Sequence, residues 1–398
     1  MNLFVIRYAE IALKGSNREW FEKRLLMNLR QHLDVLGKHH TWKVHGRMMV
    51  ETELDPILVA KTLAQVPGVA NFSLARHSSH DLGQLAEACQ AVMGEYLTRY
   101  PETVTFKAEC KRADKTFPLN SQQLAAEVGG YVLDQHPDLK VKLVGPDVEL
   151  GVEIWPGNKA AVYLEKQKGQ GGLPVGTSGK MISFLSGGID SPVASWMMMR
   201  RGVEVVYLNF HSFPFIGEES KEKVVQLVQH LSRYQPKSTL YIAPFTEIQK
   251  AIKQHCDERY RTILYRRLMY RIANALAHKL KIKGYVTGEA LGQVASQTIE
   301  NLACTEAAAD LPVLRPLIGL EKGQIIDLAR EIGSYNISVQ PFPDCCTVFQ
   351  PRKPETRGEL EVLAEQEAKV DFAPLIQEAV ENLEKHQFVT QVQEQFFD

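Results

Sequence analysis

The sequence has few cysteines and no long apolar run, and these absences exclude several classes of protein. Its 398 residues include six cysteines, none of them in a CxxC arrangement. So few cysteines exclude a disulfide framework, and their spacing argues against a structural zinc site. No apolar run approaches the roughly 20 residues that a membrane-spanning helix needs. The N-terminal MNLFVIRYAE lacks the apolar region of a signal peptide. We therefore expect a cytoplasmic protein in a reducing compartment, with no membrane partner.

Two common nucleotide-binding patterns are also absent. The Walker pattern GxxxxGK[ST] fails at Gly179-Lys180, because Met181 follows and Pro174 stands where the first glycine belongs. The dinucleotide fingerprint GxGxxG does not occur either. Any phosphate-binding loop in this chain must therefore be of another type.

A different phosphate-binding turn lies in residues 181–202, MISFLSGGIDSPVASWMMMRRG. The apolar run Met181–Leu185 predicts a buried strand, and SGGIDS follows it directly. Pro192 after a serine cap and Gly202 beyond the last turn predict a helix. The apolar run Val203–Phe210 then predicts a second strand, which completes a βαβ unit. Glycine amides and a helix N-terminus together favour an anion, so we predict a phosphate cradle. The alternative is an ordinary turn between a strand and a helix.

The chain divides into three regions by pattern. Residues 1–76 predict a β-α-β-α-β module of ferredoxin-like type, and residues 77–170 predict a second α+β module. The glycine-dense segment 171–179 is the predicted linker. Residues 180–398 alternate strands and helices, which predicts a doubly wound, mostly parallel sheet. A ligand of such a sheet binds beyond the carboxyl ends of the strands, where SGGIDS lies.

Two further stretches favour a nucleotide or another polyanion. Residues 259–283 contain eight Lys or Arg and no Asp or Glu, which suits a triphosphate or an RNA backbone; the alternative is a solvated helix face. The segment TGEALGQVASQT, beginning at Thr287, follows a predicted strand and could form the opposite wall of the pocket. Its Gln297 could read an adenine edge, or the segment is only a connecting loop. His211 is expected to be packed rather than catalytic.

A pair of adjacent cysteines is the remaining reactive feature. Cys345 and Cys346 lie in PDCCT, within a proline-rich loop. An accessible thiolate suits sulfur transfer, whereas the alternative is that both cysteines are small apolar filler. Neighbouring Cα atoms are ~3.8 Å apart, below the roughly 4.4 Å usual for a disulfide. A disulfide between the two would be strained, which suits a transient species and excludes a structural bridge.

In this order, ECKRADKTFPLNS, SGGIDS, TGEALGQVASQT and PDCCTVF resemble the ThiI family of tRNA 4-thiouridine synthases, over essentially all of the chain. The resemblance implies an α/β fold with a PP-loop ATP pyrophosphatase domain, preceded by ferredoxin-like and THUMP α+β domains that together bind tRNA. The family's acceptor cysteine falls on Cys346, with Cys345 as the nearest resolving thiol; Cys110 and Cys256 are the other candidate resolvers. The residues that the resemblance places against ATP are Phe184, Leu185, Ser186, Gly187, Gly188, Asp190, Ser191, Asn209, Phe210, Arg266, Gly288 and Gln297.

The resemblance also implies a reaction. ATP, with Mg²⁺, adenylates C4 of the uridine at position 8 of tRNA, and persulfide sulfur then replaces the oxygen. Asp190 would hold Mg²⁺ or orient the loop, while Arg266 would neutralise phosphate charge. A cysteine desulfurase is the expected sulfur donor; the sulfur-carrier protein of thiamine synthesis is a further candidate partner, and a homodimer stays open. No metal site within the protein is expected.

Two departures from the family pattern concern the sulfur route. The segment after Cys346 is too short for the rhodanese domain of long family members, and the CxxC of the iron–sulfur relatives is missing. Alternative functions are another PP-loop tRNA-modifying enzyme, of the 2-thiouridine or lysidine synthase type, and a non-catalytic RNA-binding module.

Overall fold

A computed structural model of the protein describes residues 1–44 and 46–390, with Cys346 described by its backbone alone. The chain forms two compact units, Met1–Leu173 and Pro174–Asp398. Within the described ranges, no helix combines the length and the apolar character needed to cross a membrane.

The first unit is one nine-stranded sheet with four α-helices. Its strand order is β2-β3-β1-β4-β8-β7-β5-β6, and β9 pairs with β4. The strands are β1 (Asn2–Arg7), β2 (His39–Val44), β3 (Arg47–Thr52), β4 (Asn71–Ser78), β5 (Thr105–Arg112), β6 (Lys140–Val141), β7 (Val148–Trp155), β8 (Lys159–Tyr163) and β9 (Gln167–Lys168). The helices are α1 (Arg18–Leu33), α2 (Pro56–Gln65), α3 (Leu82–Arg99) and α4 (Ser121–Gln135), with 3₁₀ turns at Glu10–Leu13 and Gly15–Asn17.

The ferredoxin-like fold of the N-terminal module is confirmed, but one strand is missing from its prediction. The order is β1-α1-β2-β3-α2-β4, so β2, with the sequence HHTWKV, was overlooked. This strand lies at the edge of the sheet and is only partly buried, and its residues therefore lack the clear apolar alternation of a half-buried strand. In addition, β4 pairs with β1 through Asn71–Ala75 and with β8 through Arg76–Ser78. The two modules thus share one sheet, and the predicted boundary after residue 76 falls inside β4.

A buried carboxylate joins the two modules inside this sheet. Glu153 on β7 accepts hydrogen bonds from Arg7 Nε and Nη2 on β1, at 3.1 and 3.0 Å, through Oε1. Its Oε2 accepts from Arg47 Nε at 3.0 Å, and Tyr163 Oη donates to Oε1 at 3.0 Å. A buried carboxylate is tolerated only when it is paired with opposite charges and hydrogen-bonded. The cluster therefore holds the strands of the two modules in their relative positions within the sheet.

The second unit is a six-stranded sheet with helices on both faces. The order is β14-β13-β10-β11-β12-β15; every neighbouring pair is parallel except β12 with β15, so the doubly wound, mostly parallel sheet is confirmed. The strands are β10 (Lys180–Phe184), β11 (Glu204–His211), β12 (Lys237–Pro244), β13 (Tyr285–Val286), β14 (Val313–Leu314) and β15 (Glu384–Val389). The helices are α5 (Asp190–Arg200), α6 (Glu218–Leu231), α7 (Thr246–His255), α8 (Arg261–Leu280), α9 (Ile299–Glu306), α10 (Lys322–Glu331), α11 (Tyr335–Ser338), α12 (Leu360–Glu367) and α13 (Ala373–Glu381). Short 3₁₀ turns lie at Ser232–Tyr234, Glu258–Tyr260, Ala295–Gln297 and Cys345–Thr347.

Helix α5 begins earlier than its sequence predicts. Its first residue is Asp190, and the preceding Ile189 makes no side-chain cap, so the prediction of a serine cap before Pro192 is wrong. Ser191 lies within the first turn, and its Oγ accepts the backbone N–H of Ser186 at 2.9 Å. Because this hydrogen bond folds the turn back onto the strand end, the helix starts two residues before the proline. Gly202, at φ +83°, ends the α5 segment as predicted.

Candidate nucleotide-binding site

A cavity of about 630 Å³ opens at the carboxyl ends of β10, β11 and β13. This is the edge of the sheet at which doubly wound proteins bind their ligands, and the volume suits a small-molecule site. All the predicted ATP-contacting residues except Gly187 line the cavity: Phe184, Leu185, Ser186, Gly188, Asp190, Ser191, Asn209, Phe210, Arg266, Gly288 and Gln297.

The SGGIDS turn is held in shape by its two serines. Besides the Ser186–Ser191 bond, the Gly188 N–H donates to Ser186 Oγ at 3.2 Å, and the two serine Oγ atoms are 3.2 Å apart. These bonds close the turn directly before α5, so Ser186, Gly188 and the first turn of α5, at the positive end of its helix dipole, all line the cavity. We call residues 186–191 the anion-binding turn, after the role that the sequence predicts for it.

Asp190 forms an ion pair with Lys322, a lysine that the sequence analysis missed. Lys322 Nζ lies 2.5 Å from Asp190 Oδ1, and Gln293 Nε2 donates to Oδ2 at 2.9 Å. Lys322 begins α10 and lines the cavity. Asp190 therefore orients a lysine ammonium beside the anion-binding turn. A lysine at the start of a helix after a strand was the available signal, but it also fits a solvated charge.

A second carboxylate, Glu289, holds the arginine wall of the cavity. Its side chain is 4% exposed and pairs with Arg266 through Oε1. Its Oε2 accepts from Arg315 Nε at 2.7 Å and from Thr287 Oγ1 at 2.9 Å. Both Glu289 oxygens thus have partners, and the ion pair with Glu289 restrains the predicted Arg266 at the cavity. Glu289 and Arg315 were missed by the sequence analysis.

Three of the residues that line the cavity are aromatic. The Phe184 ring lies 4.9 Å from the ring of Tyr270 and 5.8 Å from that of Phe210, centroid to centroid. Gln297 is buried, and its Oε1 has no hydrogen-bond partner within the described structure. An unpaired buried acceptor is costly, so it marks a place where a ligand's N–H group would bind. Aromatic rings and an unpaired acceptor in the lining of one cavity suit a nucleobase.

The Asn209 side chain stabilises the start of the SGGIDS turn. Its Nδ2 donates to the carbonyl of Leu185 at 2.8 Å, and its side chain is buried. The amide therefore joins the ends of β10 and β11 and fixes the start of the SGGIDS turn.

Gly288 is required by a close approach of two backbone segments. A Cβ at this position would lie 2.7 Å from the Ser191 N and 2.8 Å from the Asp190 carbonyl carbon. The glycine thus lets the loop after β13 pack directly on the first turn of α5.

We expect Gly288→Ala to lower the free energy of unfolding by ~1–3 kcal/mol, because the clash is with backbone and cannot be relieved by a rotamer change. The same shift should disturb the anion-binding turn and weaken ATP binding. Urea unfolding and isothermal titration with ATP measure the two effects. Gly319→Ala is the matched control, since a Cβ there meets nothing within 4 Å; equal behaviour of the two variants would contradict the packing role.

The loop before the cysteine pair reaches the anion-binding turn. Asp344 Oδ1 accepts the backbone N–H of Gly187 at 2.7 Å, which explains why Gly187 does not line the cavity. Burial raises the pKa of the Asp344 carboxyl above its usual range, and the Gly187 N–H and the Lys223 ammonium oppose that shift. Asp344 and Cys345 both line the cavity, and Gln249 Nε2 donates to the Cys345 carbonyl at 2.9 Å. The Cys346 side chain lies outside the described part of the structure.

The other four cysteines are buried. Burial raises the pKa of Cys89 and of Cys110 to about 12. Burial also raises the pKa of Cys256 and Cys304, whose Sγ atoms donate to backbone carbonyls. Since the thiolate is the reactive form, burial disfavours Cys110 and Cys256 as the resolving thiol. His211 lies outside this cavity and lines another of about 440 Å³. Burial lowers its pKa, and its role as a packed histidine stays a prediction.

The basic stretch of α8 is divided between structure and site. Arg267 pairs with Glu367 at 2.7 Å, and Arg271 pairs with the same carboxylate. Arg266 faces the cavity. The helix therefore does not offer all its charges to a polyanion, because Arg267 and Arg271 pair with Glu367 on α12. In residues 1–44 and 46–390, no three His, Cys, Asp or Glu side chains are placed to hold a metal ion.

Three family models match the chain in succession: the ThiI ferredoxin-like domain at residues 3–73, the THUMP domain at 79–165 and the thiamine biosynthesis protein (ThiI) at 176–372. A probable tRNA sulfurtransferase of Alkaliphilus oremlandii is 42% identical over 384 residues, or 96% of this chain and 97% of the relative. That of Caldanaerobacter subterraneus subsp. tengcongensis is 43% identical over 375 residues, or 94% and 97%.

Solved structures agree with this assignment. The crystal structure of a 4-thiouridine synthetase–RNA complex with bound ATP superposes with a TM-score of 0.89 at 34% identity, covering 98% of this chain and 100% of that one. A Pyrococcus horikoshii structure reaches 0.67 at 29% identity, covering 84% and 100%. With all three domains matched and relatives above 40% identity along nearly its whole length, the chain belongs to the ThiI family.

Proposed function

We infer that the protein is an ATP-dependent tRNA sulfurtransferase that converts a tRNA uridine into 4-thiouridine. The observation that carries the inference is the cavity at SGGIDS, in which the predicted ATP-contacting residues meet, in a chain that superposes on a 4-thiouridine synthetase bound to ATP and RNA. The curated relatives named as tRNA sulfurtransferases support the same activity.

The cavity suggests how ATP would be oriented. The adenine would bind against the aromatic rings, and its exocyclic amino group would donate to the unpaired Gln297 Oε1. The turn 186–191 would then face the phosphates, and Lys322 and Arg266, which line the same cavity, would be available to neutralise their charge. Both cations are held by carboxylates, so they would stabilise charge on the departing pyrophosphate with little reorganisation.

Two displacement steps complete the proposed reaction. The O4 atom of the uridine, at position 8 of tRNA, attacks the α-phosphorus and pyrophosphate leaves. This turns O4 into part of an AMP leaving group. The terminal sulfur of a Cys346 persulfide attacks C4, and AMP leaves with the oxygen. Cys345 thiolate then attacks the Cys346 sulfur, which releases 4-thiouridine and leaves a disulfide that a cellular thiol must reduce.

Mg²⁺ has no evident ligand set in this cavity. Both Asp190 oxygens are taken by Lys322 and Gln293, and no cluster of metal-ligating side chains exists among the described residues. We therefore propose Mg²⁺ only as the counter-ion that ATP carries on its own phosphates, and assign it no step.

The partners follow from the reaction. We propose that the ferredoxin-like and THUMP modules bind the tRNA and that a cysteine desulfurase supplies the persulfide in the cytoplasm. Sulfur transfer to the carrier protein of thiamine synthesis and a homodimer remain proposals of the same kind. No structural observation favours a 2-thiouridine or lysidine synthase over 4-thiouridine formation.

The test is a thiolation assay with unmodified tRNA, ATP, a cysteine desulfurase and cysteine. We expect pyrophosphate release that depends on tRNA, and 4-thiouridine at position 8 by nucleoside mass spectrometry. A different thiolated or lysine-modified nucleoside would assign the alternative enzymes. A protein that binds tRNA but never releases pyrophosphate would be a binding module instead.

A further inference from the structure

The contact between Asp344 and the anion-binding turn is not explained by the proposed reaction. A phosphate cradle binds anions through backbone N–H groups, and here the Gly187 N–H already binds one, the Asp344 carboxylate at 2.7 Å. The second oxygen of the same carboxylate approaches Gly188, whose ideal Cβ position lies 3.8 Å from Oδ2. A side chain from 157 residues away therefore occupies part of the site that nucleotide phosphates would need.

The Lys223 ammonium lies close to the Asp344 carboxylate. The Lys223 side chain packs so closely on Gly187 that an added Cβ would be 2.4 Å from its Cε and 3.0 Å from its Nζ. Lys223 is buried, and its Nζ donates to the carbonyls of Ser338, Gln340 and Phe342 at 3.4, 3.2 and 3.0 Å. Because these three carbonyls belong to one loop, they hold the Lys223 ammonium in place. There it attracts an anion bound at Gly187, whether this is a carboxylate or a phosphate.

The backbone around Asp344 is attached on both sides. Ser220 Oγ donates to the Pro343 carbonyl at 2.8 Å, and Gln249 Nε2 donates to the Cys345 carbonyl at 2.9 Å. Asp344 and the cysteine pair therefore share one short, anchored turn. A change in the Asp344 side chain must be absorbed by that turn, which carries Cys345 and Cys346.

We propose that the Asp344 carboxylate is a placeholder for a nucleotide phosphate on the Gly187 amide, so that phosphate binding displaces it and exposes the adjoining Cys345, which is 9% exposed. Asp344 is then a positioning residue that couples the nucleotide to the turn Cys345–Thr347: Cys345 is covered while the cradle holds Asp344 and uncovered while it holds phosphate. This inference rests on the proposed function, since it takes the cavity to be the nucleotide site.

The first measurement is the affinity of the full-length protein for inorganic pyrophosphate and for α,β-methylene-ATP, by isothermal titration without Mg²⁺. Asp344→Asn keeps the size and removes the charge, so the bound anion no longer competes with a carboxylate. We expect binding about tenfold tighter than in the wild type. The control Asp327→Asn, on the exposed face of α10, should bind as the wild type does.

Ser220→Ala separates charge competition from loosening of the turn. It removes the bond to Pro343 but keeps the Asp344 carboxylate, so its pyrophosphate affinity should stay at the wild-type level. If it tightened binding as much as Asp344→Asn, release of the turn would be the cause and the placeholder would be refuted.

The second measurement is the alkylation rate of Cys345 by iodoacetamide, quantified by peptide mass spectrometry, with Cys89 and Cys304, which are buried elsewhere, as internal references. Pyrophosphate should raise the rate in the wild type, whereas Asp344→Asn should react fast with or without it. The titration with α,β-methylene-ATP is also repeated with Mg²⁺. If Asp344 were a Mg²⁺ ligand, Asp344→Asn would bind more weakly than the wild type in that repeat, and this result would overturn the proposal. Equal affinities and rates in both proteins would overturn it as well, with the nucleotide site intact. No binding to either protein would refute the nucleotide site and the placeholder together.

Discussion

Asp190→Ala is expected to lower tRNA-dependent pyrophosphate release by about 100-fold or more, in the range found when one preorganised charge-stabilising group is removed. The reason lies in the two partners of this carboxylate. Lys322 Nζ and Gln293 Nε2 each bind one of its oxygens, at 2.5 and 2.9 Å. Without Asp190, the Lys322 ammonium loses the anion that aims it at the phosphates, and the charge on departing pyrophosphate must be stabilised by a mobile side chain.

The measurement is the initial rate of pyrophosphate release with a saturating tRNA transcript, together with tRNA affinity by filter binding. Affinity should not change, because the substitution lies in the catalytic unit's cavity. Asp327→Ala is the matched control: it removes an exposed aspartate from α10, the helix that begins with Lys322. Asp190→Asn should recover part of the rate, since an amide oxygen can still accept from Lys322. Unaltered turnover in Asp190→Ala would contradict this role.

The position of the site could be predicted because its signals are local in sequence. SGGIDS directly follows a short apolar strand, and a parallel sheet places strand ends at one edge, so the loop after β13 with Gly288 was expected to meet it. What Gly288 does there was not predictable. It accommodates the backbone of Ser191, and such an approach depends on how two loops pack after folding.

The missed residues are those whose partners lie far away in sequence. Lys322 is 132 residues from Asp190, and Asp344 is 157 residues from Gly187. In the sequence, each looks like an ordinary charged residue of a helix start or a loop. The same applies to Glu367, whose pairing with Arg267 converts part of an apparently polyanion-binding helix into a core contact. Local composition gives the sign of a charge, but the fold decides which charge neutralises it.

Local signals also failed where another short-range hydrogen bond competed with them. A serine before a proline is a common helix start, yet Ser191 bonds the Ser186 N–H instead of capping α5. That bond shapes the anion-binding turn. The deviation from the expected cap is thus part of what makes the turn suited to phosphate.

The other large effect is expected at the cysteine pair. With a desulfurase as the sulfur source, Cys346→Ser should lose thiolation on the order of 1,000-fold or more, as when a covalent nucleophile is removed. The 3₁₀ turn Cys345–Thr347 follows Asp344, and Cys345 lines the cavity, so in the proposed reaction a sulfur carried on this turn would be close to the adenylated base. Pyrophosphate release in a single turnover should persist, because adenylation needs no thiol.

Cys345→Ser separates the carrier from the resolver. If Cys345 resolves the mixed disulfide, this variant should form the link between tRNA and Cys346 but fail to release 4-thiouridine, which a gel under non-reducing conditions detects. Cys256→Ser is the matched control, since its buried Sγ only donates to the Gln366 carbonyl and a hydroxyl can do the same. Full thiolation by Cys346→Ser would remove that residue from the mechanism.

Inorganic sulfide provides the decisive comparison between the two halves of the reaction. Hydrosulfide can attack C4 of the adenylated uridine directly and expel AMP, without any protein thiol. High sulfide should therefore restore 4-thiouridine formation to Cys346→Ser but not to Asp190→Ala, in which the leaving group is not made. Rescue of both variants, or of neither, would show that adenylation and sulfur delivery are not divided between SGGIDS and the cysteine turn.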